Sequence, residues 1–319
     1  MVTRALLLVV IAACAPDLED TTTLVTEPRL LAARFEPAEV APQGSVESSA
    51  LWAGPDGTLA DAPLAWAFCV ARKGITEPGP VTKACLVDES PALVPFGVGD
   101  SASGVVPANA CRQFGPDAPD VSPDEPAGRP ADPDGTGGFY QPVRVRVEQP
   151  ESFTLGEVRI GCGLPGATPA QASEFRATYV PNTNPAIETM LRADSGATLV
   201  ALEVDAAATT TIAAGQSLTL AVHWPACTSA PCAGSEPYVW FDPRARTLRK
   251  RREAMRLSWF ASAGAFELGH SGRAEDEADT SFADGVWTAP HAPGPAFVWI
   301  VLRDDRGGTT WATLRFNVE

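Results

Sequence analysis

Histidine is scarce in this sequence, and three residues in 319 leave little material for acid–base catalysis. Basic residues are also few, with 24 lysines and arginines against 39 aspartates and glutamates, so the formal charge is −15. An acidic surface repels phosphate polymers, which excludes nucleic acid as a partner. Long stretches with helical periodicity are rare, whereas glycine and proline number 27 and 30. Turn residues at this frequency, with 45% apolar residues, predict an all-β chain with enough material for two hydrophobic cores.

The longest apolar run of the N-terminus, Ala5–Ala13, is too short for a helix to cross about 30 Å of hydrocarbon. It follows a single cation, Arg4, and ends at Cys14, which is the layout of a secretory signal. The residues Ile-Ala-Ala-Cys at its end resemble the lipobox of bacterial lipoproteins. The resemblance implies that residues 1–13 are a signal peptide, removed before lipidation of Cys14, which leaves a mature chain of charge −16 anchored in the membrane. In these lipoproteins an aspartate directly after the cysteine is the usual signal for retention in the inner membrane. This chain has Ala15 there instead, which implies sorting to the outer membrane.

Six cysteines remain after Cys14, and an even number suits an oxidising compartment. Six cysteines allow about fifteen pairings. Closeness in sequence favours three disulfides: Cys227 with Cys232, Cys69 with Cys85, and by elimination Cys111 with Cys162.

The chain divides into a tether and two domains. Residues 14–28 are acidic and polar and predict a flexible tether. Short apolar runs then recur at about 8 to 12 residues between turn residues, the pattern of β-sandwiches. We predict one domain over residues 29–181, with a long loop insert at about residues 113–138, and a second over residues 186–319. The boundary is the turn-forming sequence Pro-Asn-Thr-Asn-Pro at residues 181–185.

Three strands are predicted in the later part of the first domain. Alternation in Val143–Val147 places three valines on one face and two arginines on the other. Further strands are predicted at Phe153–Ile160 and at Phe175–Val180.

The second domain repeats the first. Val40–Val46, leading to Trp52, matches Ile212–Leu218, leading to Trp224, and later Leu-Ala-Trp66 matches Leu-Ser-Trp259 in the same order. These residues resemble bacterial immunoglobulin-like domains. The resemblance implies two tandem immunoglobulin-like β-sandwiches with Trp66 and Trp259 in their cores. A final hairpin is expected from Phe297–Leu302 and Trp311–Val318.

Two motifs suggest chemistry but fit it poorly. Gly161–Gly166 satisfies the G-x-G-x-x-G pattern of dinucleotide sites, but no βαβ unit surrounds it, so we expect a tight loop and no cofactor. His270 and Ser271 lie in a sequence similar to a hydrolase nucleophile elbow, but Arg273 replaces its last glycine. We expect a hairpin turn there.

Each possible metal or anion site in the sequence also has a simpler structural interpretation. The side chains of His223, Cys227 and Cys232 are of types that bind metals. An oxidising compartment, however, favours a disulfide between the two cysteines over a metal site. Asp132 and the acids from Glu275 to Asp279 lack the spacing of a calcium loop, and we expect no metal. The one basic run could contact lipid headgroups or an anionic polymer, but we expect a solvated connector, paired with those acids; it comprises Arg244, Arg246, Arg249, Lys250, Arg251, Arg252 and Arg256.

The sequence therefore predicts a lipid-anchored protein of the bacterial envelope, with a structural, adhesive or binding role and no catalytic site. Its partners would be the membrane and an envelope protein or polysaccharide. An alternative is a carbohydrate- or polymer-binding surface protein, in which exposed tryptophans line one concave face, with Trp240, Trp287 and Trp311 as candidates. A second alternative is a hydrolase with its site near His270 and Ser271.

Overall fold

The computed structural model describes residues 22–59, 63–74, 76–116, 134–147, 152–193, 199–202 and 209–319, and its regular structure is mainly β-strand. In the N-terminal half the strands are β1 (Arg29–Glu36), β2 (Glu39–Val40), β3 (Ser45–Gly54), β4 (Gly57–Thr58), β5 (Ala65–Cys69), β6 (Leu93–Val98), β7 (Ser101–Val105), β8 (Gly138–Val147) and β9 (Ser152–Gly161). Two α-helices follow β7 and β9, respectively: α1 (Ala110–Phe114) and α2 (Pro169–Thr178).

The C-terminal half begins after α2. Its strands are β10 (Thr189–Ala193), β11 (Leu199–Leu202), β12 (Thr210–Ile212), β13 (Ser217–His223), β14 (Pro237–Asp242), β15 (Thr247–Arg252), β16 (Met255–Ala261), β17 (Ala265–Phe266), β18 (His270–Arg273), β19 (Phe282–Thr288), β20 (Gly294–Asp304) and β21 (Thr309–Val318). Short 3-10 helices occupy Lys83–Leu86 and Glu275–Glu277.

The N-terminal strands form the first sandwich. One sheet contains β1, β3, β4 and β7, and the other is ordered β2-β9-β8-β5-β6. The core-facing side chains of β8 are Val143, Val145 and Val147, all buried. On the opposite face Arg144 and Arg146 both pair with Asp88, at 2.9 and 3.0 Å. The alternation predicted for this strand is confirmed.

The C-terminal strands form a second sandwich with a similar strand order, extended by β11 and β17 at the edges of one sheet. Its sheets are ordered β11-β10-β13-β19-β17 and β12-β21-β20-β16-β18, and the hairpin β14–β15 is inserted between β13 and β16. In each sandwich a short strand runs parallel to the last strand, β2 with β9 and β12 with β21. Trp66 on β5 and Trp259 on β16 are 1% and 0% exposed. A buried tryptophan at this position is a hallmark of immunoglobulin-like sandwiches, so the predicted fold class is confirmed.

The repeated sequence forms the same turn twice. Gly44 N donates to Ala41 O at 2.9 Å before β3, and Gln216 N donates to Ala213 O at 3.1 Å before β13. Each turn has one residue with a left-handed backbone, Gln43 with φ 68° and Gly215 with φ 71°. Equivalent turns therefore set the start of the equivalent strands.

Three disulfides join the pairs that closeness in sequence favours. The Cα atoms are 5.5 Å apart in Cys69–Cys85, 5.4 Å in Cys111–Cys162 and 5.9 Å in Cys227–Cys232. The first closes a loop over the outer face of the first sandwich, where Val81 and Ala92 are buried with it. The second ties α1 to the end of β9.

One predicted strand is wrong. Phe175–Val180 was expected to be extended, but Phe175 lies within α2 and is buried. Thr168 caps this helix: its hydroxyl accepts from Gln171 N at 3.3 Å, and the Gln171 side chain accepts from Thr168 N at 2.9 Å. Pro169 at the first helical position adds a further start signal. The capping residues therefore favour a helix here, although the apolar residues that follow them favour a strand.

The predicted tether is also wrong over its last residues. Leu24 forms a bridge with Ala261, and Val25 N donates to Ala261 O at 2.8 Å. Val25 is fully buried in the cluster between the sandwiches, so this segment packs against both of them. Residues 14–21, with the lipidation site predicted at Cys14, and residues 117–133 of the predicted insert lie outside the described residues. No helix in the described part of the chain is long and apolar enough to span a membrane.

The two sandwiches pack against each other through β20. Its residues Val298, Ile300 and Leu302 face the core of the second sandwich, whereas Trp299 and Val301 point the opposite way. Trp299 and Val301 are 0% exposed because they contact the outer face of the first sandwich; the residues buried with them are Val25, Leu31, Ala32, Leu51 and Ala53. A strand buried on both faces is apolar at successive positions. This explains the continuous apolar run of Phe297–Leu302.

We predict that Gln43→Gly stabilises the protein and that Gly215→Ala destabilises it. A left-handed backbone costs a residue with a Cβ about 1 to 2 kcal/mol, and glycine removes that cost. The more flexible glycine loses part of the gain in the unfolded chain, so about 0.5 to 1 kcal/mol remains. In Gly215→Ala the new Cβ would also lie 2.9 Å from His291 Cε1.

Urea unfolding of the disulfide-bonded protein would measure both changes. The Gln43 side chain is exposed at an outer turn, so its removal should cost no packing. A decrease in the free energy of unfolding for Gln43→Gly would therefore contradict the prediction.

Candidate functional site

The predicted hydrolase residues do not form a nucleophile and base. His270 and Ser271 are consecutive residues of β18, so their side chains point to opposite faces of the sheet. Ser271 Oγ accepts a hydrogen bond from Trp259 Nε1 at 3.0 Å, and His270 is exposed. This is an edge strand and not the strand-to-helix turn of a nucleophile elbow. The hairpin turn that we expected at these residues is therefore wrong, because they form strand β18.

The glycine-rich segment after β9 is a closed loop. Cys162 is bonded to Cys111, and the amides of Cys162 and Gly163 both donate to Gly137 O, at 3.0 and 3.1 Å. The first turn of α2 is already capped by its own Thr168. The amides of Cys162 and Gly163 are therefore already used by Gly137 O, and β9 pairs with β8 in an antiparallel hairpin and not within a βαβ unit.

The candidate metal ligands are used in other ways. Cys227 and Cys232 form a disulfide, and the His223 ring stacks on Phe282 with 5.1 Å between centroids. Glu275 accepts from Arg251 Nε at 2.8 Å. Within the described ranges no group of three histidine, cysteine, aspartate or glutamate side chains could hold a metal ion. Asp132 lies outside them.

The candidate tryptophans do not share one face. Trp287 is fully buried in the second core. Trp240 is half-buried on the hairpin, with Arg251 Cζ 5.3 Å from its ring centroid. Trp311 is half-buried on β21, beside the contact between the sandwiches.

The basic run is largely exposed to solvent, as expected, but it is not an irregular connector. It forms the β14–β15 hairpin turn, β15 itself and the start of β16. Arg249 pairs with Asp242 at 3.1 Å, and Arg252 Nη1 donates to Cys227 O at 2.7 Å. The expected pairing with the acids after residue 274 does occur, between Arg251 and Glu275. Backbone pairing with β14 orders this segment. The many positive charges in the sequence do not indicate that pairing.

Sequence reasoning missed a buried polar network where the two sandwiches meet. Glu39 on β2 is 6% exposed and accepts from Arg159 Nε at 3.0 Å. The same carboxylate accepts from Asn182 N at 2.9 Å and from the Tyr179 hydroxyl. Asn182 Nδ2 in turn donates to Asp304 at 3.2 Å. The segment predicted as a boundary turn thus links the first sandwich to the β20–β21 turn of the second.

Arg306 is the centre of the network on the side of the second sandwich. Its Nε donates to Glu253 Oε1 at 2.7 Å, and its Nη2 pairs with Glu236. Its Nη1 donates to Val180 O at 3.3 Å, in the segment that joins the sandwiches. Arg306 and both glutamates are at most 1% exposed. A buried guanidinium needs such partners, because an unpaired charge there would be strongly destabilising.

Burial raises the pKa of three carboxyl groups on the side of the second sandwich. Burial and the nearby Asp304 raise the pKa of Glu253 to about 9, against the opposing effect of Arg306. Burial also raises the pKa of Glu236 and of Asp304. Desolvation disfavours the charged carboxylate, and the positive partners are too few to reverse it. The network links the two sandwiches through side chains that are almost completely buried.

We predict that Glu253→Gln makes stability less dependent on pH. A folded-state pKa of about 9, above the ordinary 4.5, means that the folded protein binds a proton that the unfolded chain releases. The stabilisation is complete below about pH 4.5 and is lost as the pH rises towards 9, so the free energy of unfolding falls across that window. Glutamine keeps an acceptor for Arg306 without the titration. Guanidinium unfolding at pH 5, 7 and 9 would measure the slope.

Glu267→Gln on the exposed surface is the matched control and should keep the slope of the unchanged protein. Equal slopes for all three proteins would refute the assignment to Glu253.

Comparison with known proteins gives distant structural likenesses. No protein-family model matches the chain, and no curated protein matches it. Dimeric latent PorU from Porphyromonas gingivalis is 12% identical, with 93% of this chain and 24% of that chain covered and a TM-score of 0.21. The adhesin InvE of Yersinia pseudotuberculosis is 9% identical, with 91% and 58% covered and a TM-score of 0.22. Fibronectin(III)-like modules of Clostridium thermocellum CbhA are 6% identical, with 90% and 94% covered and a TM-score of 0.20.

The matched part of this chain therefore spans about a quarter of PorU and somewhat over half of InvE. At these TM-scores the likenesses support no argument about function. The functional conclusion depends on the residues and geometry of this chain.

Proposed function

We propose that this protein is a lipid-anchored component of the bacterial envelope, attached through Cys14 and directed to the outer membrane, with a structural, adhesive or binding role and no catalytic activity. The signal-like N-terminus and the lipobox-like residues before Cys14 support the anchor. Three disulfides support an oxidising compartment, because such bonds persist outside the reducing cytosol. The membrane is the first partner, and an envelope protein or polysaccharide is the second.

The lipobox-like residues before Cys14 carry the proposal. The docking of residues 24 and 25 on the second sandwich adds where an anchored protein would lie. Val25 is buried and hydrogen-bonded to Ala261, so the chain is fixed there. Val25 is eleven residues after Cys14, and an extended chain of that length spans at most about 40 Å. An anchored Cys14 would therefore hold the second sandwich close to the membrane surface. The first sandwich would be held at a fixed position beside it, because the two pack together through β20.

The hydrolase alternative has no supporting geometry. His270 and Ser271 face opposite sides of an edge strand, and the serine hydroxyl is engaged by Trp259. The acidic charge makes nucleic acid a poor partner. The carbohydrate alternative has one supporting feature, the half-buried Trp311 beside the contact between the sandwiches.

We predict that Cys14→Ser abolishes lipid attachment, while Ala15→Asp keeps it but changes the destination. The full-length protein would be expressed in a bacterium with two membranes and labelled with palmitate. The unchanged protein should carry label and fractionate with the outer membrane. Cys14→Ser should carry no label, and Ala15→Asp should be labelled but retained in the inner membrane.

Palmitate incorporation into Cys14→Ser would refute the anchor at this residue. An outer-membrane location for Ala15→Asp would refute the sorting part of the proposal alone.

A further inference from the structure

An open groove of about 650 Å³ lies beside the contact between the two sandwiches. Its floor is the outer face of the sheet that contains β1, β3 and β7, and its wall is β21 of the second sandwich. Neither sandwich has this groove alone. The side chains that line it include Arg34, Glu47, Ser49, Ser101, Ser103 and Trp311.

The strand register places the polar side chains of the floor in two rows. Arg34 on β1, Ser49 on β3 and Ser101 on β7 are direct neighbours across the sheet. Glu47 and Ser103 form part of the next row, on the same face. Further along this face, Leu51 and Ala53 are covered by β20. The polar rows therefore begin where the second sandwich stops covering the sheet.

The floor has little net charge and many hydrogen-bonding groups. Arg34 pairs with Glu36 at 2.9 Å, which leaves Glu47 as the excess charge, so anionic ligands are disfavoured. Hydroxyl groups both donate and accept hydrogen bonds, and three serines present them on neighbouring strands. Such a surface suits a ligand that is itself rich in hydroxyl groups.

The wall supplies the apolar part of the groove. Trp311 is half-buried, and its flat ring is the one aromatic side chain among the lining residues. Thr310 beside it accepts from Arg34 Nη1 at 3.4 Å, which joins wall and floor. A pyranose ring has apolar C–H faces and a rim of hydroxyl groups. An aromatic wall beside a floor of hydroxyl and charged groups is complementary to both parts.

We propose that this groove binds a neutral saccharide chain, with one sugar ring against Trp311 and its hydroxyl groups hydrogen-bonded to the serines, Glu47 and Arg34. The volume lies in the range of about 300 to 1,000 Å³ that ligand sites occupy. The open shape suits part of a longer chain. The proposal gives a ligand class to the binding role proposed above and rests on that role, but not on the lipid anchor.

The test uses the detergent-solubilised full-length protein. Four linear hexasaccharides serve as probes: chitohexaose, cellohexaose, maltohexaose and laminarihexaose. Binding is measured by calorimetry, and tryptophan fluorescence reports the contact with Trp311. At least one probe should bind with a Kd below about 1 mM, the weak end of specific recognition. Trp311→Ala and Ser103→Arg should each weaken that binding at least tenfold, and Trp311→Phe should weaken it less because a flat ring remains.

Ser229→Arg is the matched control, because Ser229 is an exposed serine of the Cys227–Cys232 loop that does not line the groove. It should bind like the unchanged protein. Ser103 is exposed, so Ser103→Arg keeps the test meaningful if Trp311→Ala unfolds. No binding of any probe at about 5 mM, or equal binding by Ser103→Arg and the unchanged protein, would overturn the proposal. Either result would leave palmitate labelling of Cys14 unaffected, and so separates this failure from failure of the anchor.

Discussion

The structure depends on the burial of β20 on both of its faces. One face completes the core of the second sandwich, and the other places Trp299 and Val301 against the first. The indole nitrogen of Trp299 would be costly to bury alone, and it donates to Thr58 Oγ1 at 2.9 Å across the contact. Since the apolar side chains on both bodies are withdrawn from water together, separation of the sandwiches would expose them together. The two sandwiches therefore form one body, and the groove beside the contact exists only because of it.

The polar network at the edge of this contact has a different effect. Apolar packing favours contact but tolerates sliding, whereas hydrogen bonds fix an angle and a register. Arg159 and Arg306 are each surrounded by partners from several elements, and removal of one partner of a buried pair typically costs about 3 to 5 kcal/mol. Asn184 adds a direct link, because it donates to Phe35 O at 2.7 Å and accepts from Thr309 N at 2.9 Å. The orientation of the two sandwiches is thus specified by polar groups that contribute little to the apolar driving force.

The two sandwiches share a topology but differ in their inserts, and the inserts make further connections. The hairpin β14–β15 of the second sandwich reaches α2, where Gln171 Nε2 donates to Arg246 O at 2.7 Å. Phe241 N on the same hairpin donates to Gly135 O at 2.8 Å, at the end of the predicted loop insert. Repetition therefore supplies two similar cores, and the segments that differ supply contacts between them.

The sequence by itself determined the features that depend on near neighbours. Alternation in Val143–Val147 fixed the faces of β8, and the repeated turn and tryptophan motifs fixed two similar sandwiches. Cysteine spacing favoured the observed disulfides. Helix α2 also depends on near neighbours, because Thr168 and Gln171 form a capping box, although the apolar residues after them favour a strand.

Only the tertiary structure decided what covers the outer faces of the sandwiches. Periodicity tells which side chains share a face, but it does not tell what packs on that face. Val25, Asn182 and Asn184 therefore looked like tether and turn residues, although all three are buried. Glu39 and Asn182 are 143 residues apart, and the groove combines strands from both ends of the chain. Such contacts follow from how two complete cores pack together, so no local pattern records them.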